Sequence, residues 1–135
     1  MKRLLTYDFG SVKLYDNYVL SQINEGAMIT IKDCEILAKI AKEHYKGLPF
    51  AYVSIRDSSY SVDPVVYLEA SKIENLVGFA IVTHIPTALN NTKIECMFSK
   101  KIFTTFQIIY EAKVWANSIV KQSKKNLMKH KQISA

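Results

Sequence analysis

A polar segment follows a short apolar run in the first half of the chain. The run is residues 50–55, Phe-Ala-Tyr-Val-Ser-Ile, and it is typical of a buried strand. Directly after it come Arg56, Asp57, Ser58, Ser59 and Tyr60. Open α/β sheets place their sites at the carboxyl ends of such strands, so Asp57, Ser58 and Ser59 form a candidate functional loop. The alternative is that Asp and Ser serve here only as turn formers.

A second polar pair, Thr83 and His84, follows another apolar run at residues 78–83. Neighbouring parallel strands end at the same edge of a sheet, so we expect His84 to face the 56–60 segment. Arg56, Tyr60, Thr83 and His84 would then frame a ligand-facing loop, in which His84 is a proton or phosphate partner. The alternative is a structural loop histidine, since a lone His without a partner is a weak signal.

The sequence contains none of the compact motifs that mark an enzyme or a metalloprotein. The four glycines lie far apart, so no glycine-rich phosphate loop is present. GxSxG and HExxH are absent, and the two cysteines do not form a CxxC pair. We therefore expect no catalytic residue, no metal and no cofactor. Reduced, mostly buried thiols are typical of a cytoplasmic protein.

The amino-terminal elements are predicted to be two antiparallel strands. Residues 3–8 alternate loosely, Gly10-Ser11 is a turn signal, and residues 12–20 form the second strand. Asp16-Asn17 marks a bend within that strand. The resulting hairpin is expected at the edge of the sheet, whereas the apolar strands at 50–55 and 78–83 are expected at its centre.

Helix boundaries are marked by capping residues and breakers. Thr30 and Asp33 have the spacing of a capping box, and Gly47 is expected to supply the left-handed stop. Asp63-Pro64 starts a second helix, expected to run to about Asn75.

A third helix is predicted to open at Pro86-Thr87, before a strand at residues 102–106. A last helix buries Trp115. The order β-β-α-β-α-β-α-β-α predicts an α/β domain. It contains a mostly parallel sheet of about five strands, an amino-terminal antiparallel hairpin and about four helices.

The positive charge is concentrated at one end of the chain. The 135 residues include 18 Lys and Arg against 12 Asp and Glu, a formal net charge of +6. Residues 121–135 hold five lysines and no acid, so residues 1–120 carry only +1. We therefore expect one domain over residues 1–121, followed by a Lys-rich tail at 122–135 that is an extended helix or disordered. No apolar run approaches the ~20 residues of a membrane span.

The order of elements resembles the STAS/SpoIIAA-like fold. One stretch that carries the likeness is residues 78–83, Gly-Phe-Ala-Ile-Val-Thr, followed by a short helix. The other runs from residue 102 into Tyr110-Glu111-Ala112-Lys113-Val114-Trp115, which occupies the place of an "EEA-x-x-W" type helix. The similarity covers roughly residues 3–121. It implies a bacterial, cytoplasmic, non-catalytic regulatory domain.

The resemblance also implies a role for the 57–59 loop. Sporulation-type STAS domains carry Asp-Ser-Ser-Gly after a central strand, and a serine there is phosphorylated by an anti-sigma-factor kinase. Asp57, Ser58 and Ser59 match in type, Ser59 corresponds to the modified serine, and Tyr60 replaces the glycine. A phosphate would add about −1.5 to −2 charge, which Arg56 or a helix amino terminus could hold. The wider SpoIIAA-like family mostly lacks this switch.

Three functions compete on these grounds. The first is a regulatory or protein-interaction module with a protein partner, governed by the Asp57, Ser58 and Ser59 phosphorylation or partner-binding loop. Homodimerisation through an aromatic hairpin surface is one version of it. The second is a small-ligand or lipid-binding domain with a pocket framed by the 56–62 and 84–87 loops, because lipid-transfer folds have a similar architecture. The third is nucleic-acid or anionic-surface binding by the tail. Specific nucleic-acid recognition and integral membrane association are not expected.

Overall fold

The structure, a computed structural model, describes residues 2–134 and the side chains of residues 2–129. The strands are β1 (Arg3–Tyr7), β2 (Gly10–Leu14), β3 (Tyr18–Ile23), β4 (Met28–Ile29), β5 (Phe50–Ile55), β6 (Ser61–Val62), β7 (Leu76–Val82) and β8 (Ile102–Phe106). The helices are α1 (Ile31–Tyr45), α2 (Val65–Ala70), α3 (Pro86–Glu95) and α4 (Ile109–Ser134). A 3₁₀ turn, Cys96–Phe98, follows α3.

Six of the strands form one mixed sheet in the order β1-β2-β3-β5-β7-β8. The first three strands run antiparallel, and β3, β5, β7 and β8 run parallel to one another. The two short strands β4 and β6 pair in a separate parallel ladder. The predicted α/β class, the mostly parallel sheet, the four helices and the central places of β5 and β7 are confirmed.

The amino-terminal hairpin is a three-stranded meander and not the two strands predicted. The expected second strand, 12–20, is broken after Leu14, and its second part becomes β3. The Tyr15 amide donates to the carbonyl of Tyr18 at 3.0 Å, which closes a tight turn over Asp16 and Asn17. These two residues are good turn formers, so they reverse the chain instead of bending it. As a consequence β3 lies inside the sheet, where it pairs with β5.

The capping box that predicts α1 is present. The Thr30 amide donates to the Asp33 carboxylate at 2.9 Å, and the Thr30 hydroxyl lies 3.2 Å from the same oxygen. The helix ends through two successive left-handed residues, Lys46 at φ 51° and Gly47 at φ 86°, and not through Gly47 alone. The position of the first helix is therefore confirmed, and its stop begins one residue earlier than predicted.

The second helix is shorter than predicted. The Asp63 carboxylate accepts a hydrogen bond from the Val65 amide at 3.1 Å, as a residue at a helix start should. The helix ends at Ala70, so the predicted extension to about Asn75 is wrong. At this end the hydroxyl of Ser71 donates to the carbonyl of Tyr67 at 2.6 Å. Competition of this kind from a serine hydroxyl favours helix ends over helix interiors.

The two faces of the sheet are covered by different helices. Alternate β5 residues point to opposite faces, with Phe50 and Tyr52 toward α1 and α2, and Ala51 and Val53 toward α4. The α4 face is packed by small residues, and Gly78 belongs to it. A Cβ at Gly78 would lie 2.9 Å from the Ile102 carbonyl oxygen, so β7 and β8 leave no room for a side chain there.

Candidate functional site

Arg56 leaves the carboxyl end of β5 and its side chain turns into the protein. It is 1% exposed, and its Nη1 donates to both carboxylate oxygens of Glu95, at 2.9 and 2.8 Å. The guanidinium also lies 4.6 Å from the ring centroid of Tyr60, an aromatic partner for the cation. Arg56 was expected to face a ligand or hold a phosphate, but the structure places it in the interior with its charge already compensated.

Glu95, at the end of α3, forms hydrogen bonds with residues of two other elements. Besides Arg56 of the β5 end, it accepts a hydrogen bond of 2.7 Å from the hydroxyl of Tyr67 on α2. Burial raises the pKa of Tyr67 well above its usual value, and the charge of Glu95 raises it further, so Tyr67 remains a donor. Sequence reasoning missed Glu95, because its distance from Arg56 along the chain gives no spacing signal. The network ties α2 and α3 to the end of the central strand.

The candidate loop 57–59 lies on the surface and is anchored to β3 and the turn after it. The exposed Asp57 carboxylate accepts from Gln22 Nε2 at 3.0 Å, and the half-buried Ser58 hydroxyl donates to the Ile23 carbonyl at 3.3 Å. Ser59 is exposed, and its carbonyl accepts from the amide of Gly26. Two of the three polar side chains therefore have partners in the fold.

Thr83 and His84 differ in environment although they are adjacent. The Thr83 side chain is buried, and its hydroxyl accepts from the Ile85 amide at 3.2 Å, which shapes the start of α3. His84 is exposed. The Arg56 amide donates to the Val82 carbonyl at 2.8 Å, so the two segments do leave the same edge of the sheet. Of the four residues expected to face a ligand, Arg56, Tyr60 and Thr83 are buried.

An apolar cavity of about 60 Å³ lies between the sheet and helices α1 and α2, and Tyr60 and Tyr67 are part of its wall. The inner face of α1 contributes Cys34, Ala38 and Ala41, and α2 contributes Ala70. These side chains are short, so they do not reach the sheet residues that face them. The sequence predictions did not include this cavity, although the small residues at positions 34, 38 and 41 are its one visible signal.

The polar groups in the cavity wall are all bonded within the protein. The Tyr52 hydroxyl lies 2.6 Å from the hydroxyl of Ser21, and the Tyr60 hydroxyl lies 3.0 Å from that of Ser54. Among the described side chains, no buried nitrogen or oxygen lacks a hydrogen-bond partner. Burial raises the pKa of both tyrosines, so their hydroxyls stay protonated. The wall therefore offers a ligand apolar surface and no free charge.

Cys34 gives the cavity wall a thiol. The residue is buried, and its Sγ lies 3.9 Å from the Val66 carbonyl oxygen. Burial raises the pKa of this thiol to about 11, with smaller contributions from the charges of Glu69 and Glu35. A thiol of this kind is protonated and unreactive at neutral pH. Cys96, the other cysteine, is exposed.

Comparison with known proteins identifies the fold. No protein-family model and no curated protein matches the chain. The structure is similar to the crystal structure of an uncharacterized protein from the DUF3478 family, with a SpoIIAA-like fold, from Shewanella loihica PV-4. The TM-score is 0.54 at 13% sequence identity, over 78% of this chain and 90% of that chain. The chain therefore has a SpoIIAA-like fold, as its element order predicts.

Proposed function

We propose that this SpoIIAA-like domain is a non-catalytic binding module that holds a small apolar molecule between α1, α2 and the sheet. The cavity at this position is the observation that carries the proposal. An engineered apolar cavity of about 150 Å³ stays dry and binds benzene. A space of about 60 Å³ is smaller, so it suits the end of a short acyl chain, or a ring if the two helices move apart.

The energetic cost of leaving such a cavity unfilled supports the same proposal. At about 24 cal/mol per Å³, a space of 60 Å³ would cost on the order of 1.4 kcal/mol of folding free energy if nothing occupied it. That is a sizeable share of the free energy of unfolding of a typical domain, which is roughly 5–15 kcal/mol. A leucine in place of one alanine would remove much of this cost. An apolar ligand that fills the space recovers it on binding.

The cover over the cavity is suited to ligand entry. Helix α2 has six residues and is followed by an irregular segment, so its position depends on tertiary contacts more than on its own helical stability. One of those contacts is the Tyr67 hydrogen bond to Glu95. We infer that α2 moves away from α1 when a ligand enters, while the Arg56–Glu95 pair holds the end of the sheet.

Alkylation of Cys34 tests the proposal. In a Cys96→Ser variant Cys34 is the only thiol, and its pKa of about 11 makes reaction with N-ethylmaleimide slow at pH 8. We expect octanoate to slow this reaction about tenfold at saturation, because the chain occupies the space beside Sγ. Acetate, which carries the same carboxylate without the chain, should have no effect. Equal alkylation rates with and without octanoate would refute the proposal.

The regulatory module that the sequence favours remains a second candidate, supported by the exposure of Asp57 and Ser59 on one loop. Two observations weigh on the phosphorylation version of it. The guanidinium of Arg56 is bound to Glu95, and α2 begins six residues after Ser59. Neither the Arg56 side chain nor the amino terminus of α2 is therefore placed to hold a phosphate on Ser59. Phosphopeptide mass spectrometry on protein purified with phosphatase inhibitors tests it. A Ser59 phosphopeptide that disappears in Ser59→Ala supports the switch, and unmodified Ser59 throughout contradicts it.

A further inference from the structure

Helix α4 carries almost all of the excess positive charge of the chain. Its sequence, residues 109–134, contains six lysines and one acid, Glu111, which amounts to +5 of the formal +6. The helix has 26 residues and is therefore about 39 Å long at 1.5 Å per residue. Five of the six lysines lie in residues 121–131, so the charge is concentrated in the carboxyl-terminal half of this helix.

One side of α4 is packed and the other is free. Ala112, Ala116 and Val120 are fully buried against the sheet. Lys121, Lys125 and Lys129 follow at steps of four residues and are exposed. Among the side chains of residues 2–129, none of these three lysines forms an ion pair.

Exposed apolar side chains lie among these lysines. Tyr110, Val114 and Met128 are 71%, 50% and 63% exposed. At about 100° per residue, Tyr110 and Met128 point in the same direction from the helix axis. Val114, Lys121 and Lys125 lie within about 60° of that direction. We call the set the outer stripe of α4; its members are Tyr110, Val114, Lys121, Lys125, Met128 and, at its margin, Lys129. The exposed Glu111 points in the same direction as Lys129 and is the one acid beside the stripe.

We propose that the outer stripe of α4 docks on the surface of a membrane that contains anionic phospholipids. A helix with a lysine-rich face that also exposes Val, Met and Tyr can place these apolar groups at the headgroup boundary. The lysine ammonium groups, at the ends of their flexible stems, then reach the lipid phosphates. None of the described helices is long and apolar enough to cross a membrane, so the contact proposed is with the surface.

The composition of the stripe favours a membrane over a nucleic acid. Its cations are all lysines, whereas the readout of base edges makes heavy use of the bidentate guanidinium of arginine. Val114 and Met128 would gain nothing from a phosphodiester backbone, but they lose water on entering the lipid interface. The proposal does not depend on the cavity, because the stripe and the cavity lie on opposite faces of the sheet.

Flotation with lipid vesicles tests the proposal. We expect the full-length protein to bind vesicles of phosphatidylcholine and phosphatidylserine at 3:1 and not vesicles of phosphatidylcholine alone. Each lysine near an anionic surface contributes about fivefold to binding. The variant Lys121→Gln/Lys125→Gln/Lys129→Gln should therefore lose about 100-fold in vesicle partitioning. Absence of binding to the anionic vesicles at low salt would overturn the proposal.

Two further variants separate docking from general charge attraction. Lys32→Gln/Lys39→Gln/Lys42→Gln removes the same charge from exposed positions of α1, and it should keep most of the vesicle binding. Val114→Ser/Met128→Ser should weaken vesicle binding about tenfold, because the stripe loses its apolar contacts. If the α1 variant is as defective as the α4 variant, the stripe is not the docking surface. If a DNA duplex binds in an α4-dependent way and the vesicles do not, the surface is a nucleic-acid site and the proposal is wrong.

Discussion

In the Arg56–Glu95 pair two opposite charges are almost completely removed from water. Desolvation of both groups offsets much of their attraction, so the pair adds little net stability over an apolar pair of the same shape. The pair instead fixes the relative positions of the segments it joins. Arg56 and Glu95 bind each other, Arg56 also donates to the carbonyl of Tyr60, and Glu95 accepts from the hydroxyl of Tyr67. Removal of one partner leaves a buried charge without compensation.

The Arg56→Met substitution should lower the free energy of unfolding by about 3–5 kcal/mol, because it leaves the Glu95 carboxylate buried and unpaired. The double variant Arg56→Met/Glu95→Gln should regain part of this loss, since the amide is neutral and its oxygen still accepts from Tyr67. Urea denaturation measures both values.

A matched surface pair provides the control for this prediction. Lys72 and Glu69 lie 3.0 Å apart on the surface, where ion pairs contribute about 0–1 kcal/mol. Lys72→Met should therefore change the free energy of unfolding by less than about 1 kcal/mol. Similar losses for Lys72→Met and Arg56→Met would show that burial does not set the cost at Arg56.

At the scale of the elements, α1 illustrates what local sequence determines. Its start is specified by the neighbouring residues Thr30 and Asp33, and was predictable from them. The end of α2 depends on Ser71, whose hydroxyl also accepts from the amide of Lys100 in a distant loop. Contacts of this kind are not visible in a local pattern, so the predicted helix ran about five residues too far.

The cavity under α1 leads to a prediction about alanine substitutions on the two faces of the sheet. Ala38→Leu should raise the free energy of unfolding by about 1 kcal/mol, because the added carbons enter unfilled space. Ala116→Leu, at the tightly packed contact of α4 with the sheet, should lower it by about 1–3 kcal/mol through overpacking. Thermal or urea unfolding measures both. Destabilisation by Ala38→Leu equal to that of Ala116→Leu would contradict the presence of a usable cavity.

At the scale of the whole molecule, the strand and helix order was sufficient to predict a SpoIIAA-like fold, and the sheet topology agrees with it. The site was less predictable. The positions of Asp57, Ser59 and His84 at one edge follow from parallel strand order, but the burial of Arg56 depends on Glu95, 39 residues away. A cavity is set by the distance between α1 and the sheet, and no residue pattern encodes that distance directly.

Titration with octanoate is the most direct test of the central claim, that the domain binds a small apolar molecule between α1, α2 and the sheet. Backbone amide NMR shifts should change in a saturable way at residues of α1, α2 and the facing strands β3, β5 and β7, which line the cavity. In Ala38→Leu the apparent affinity should fall about tenfold or more, because the new side chain occupies the space of the ligand. Saturable binding of equal strength in both proteins, or shifts confined to other surfaces, would contradict the account.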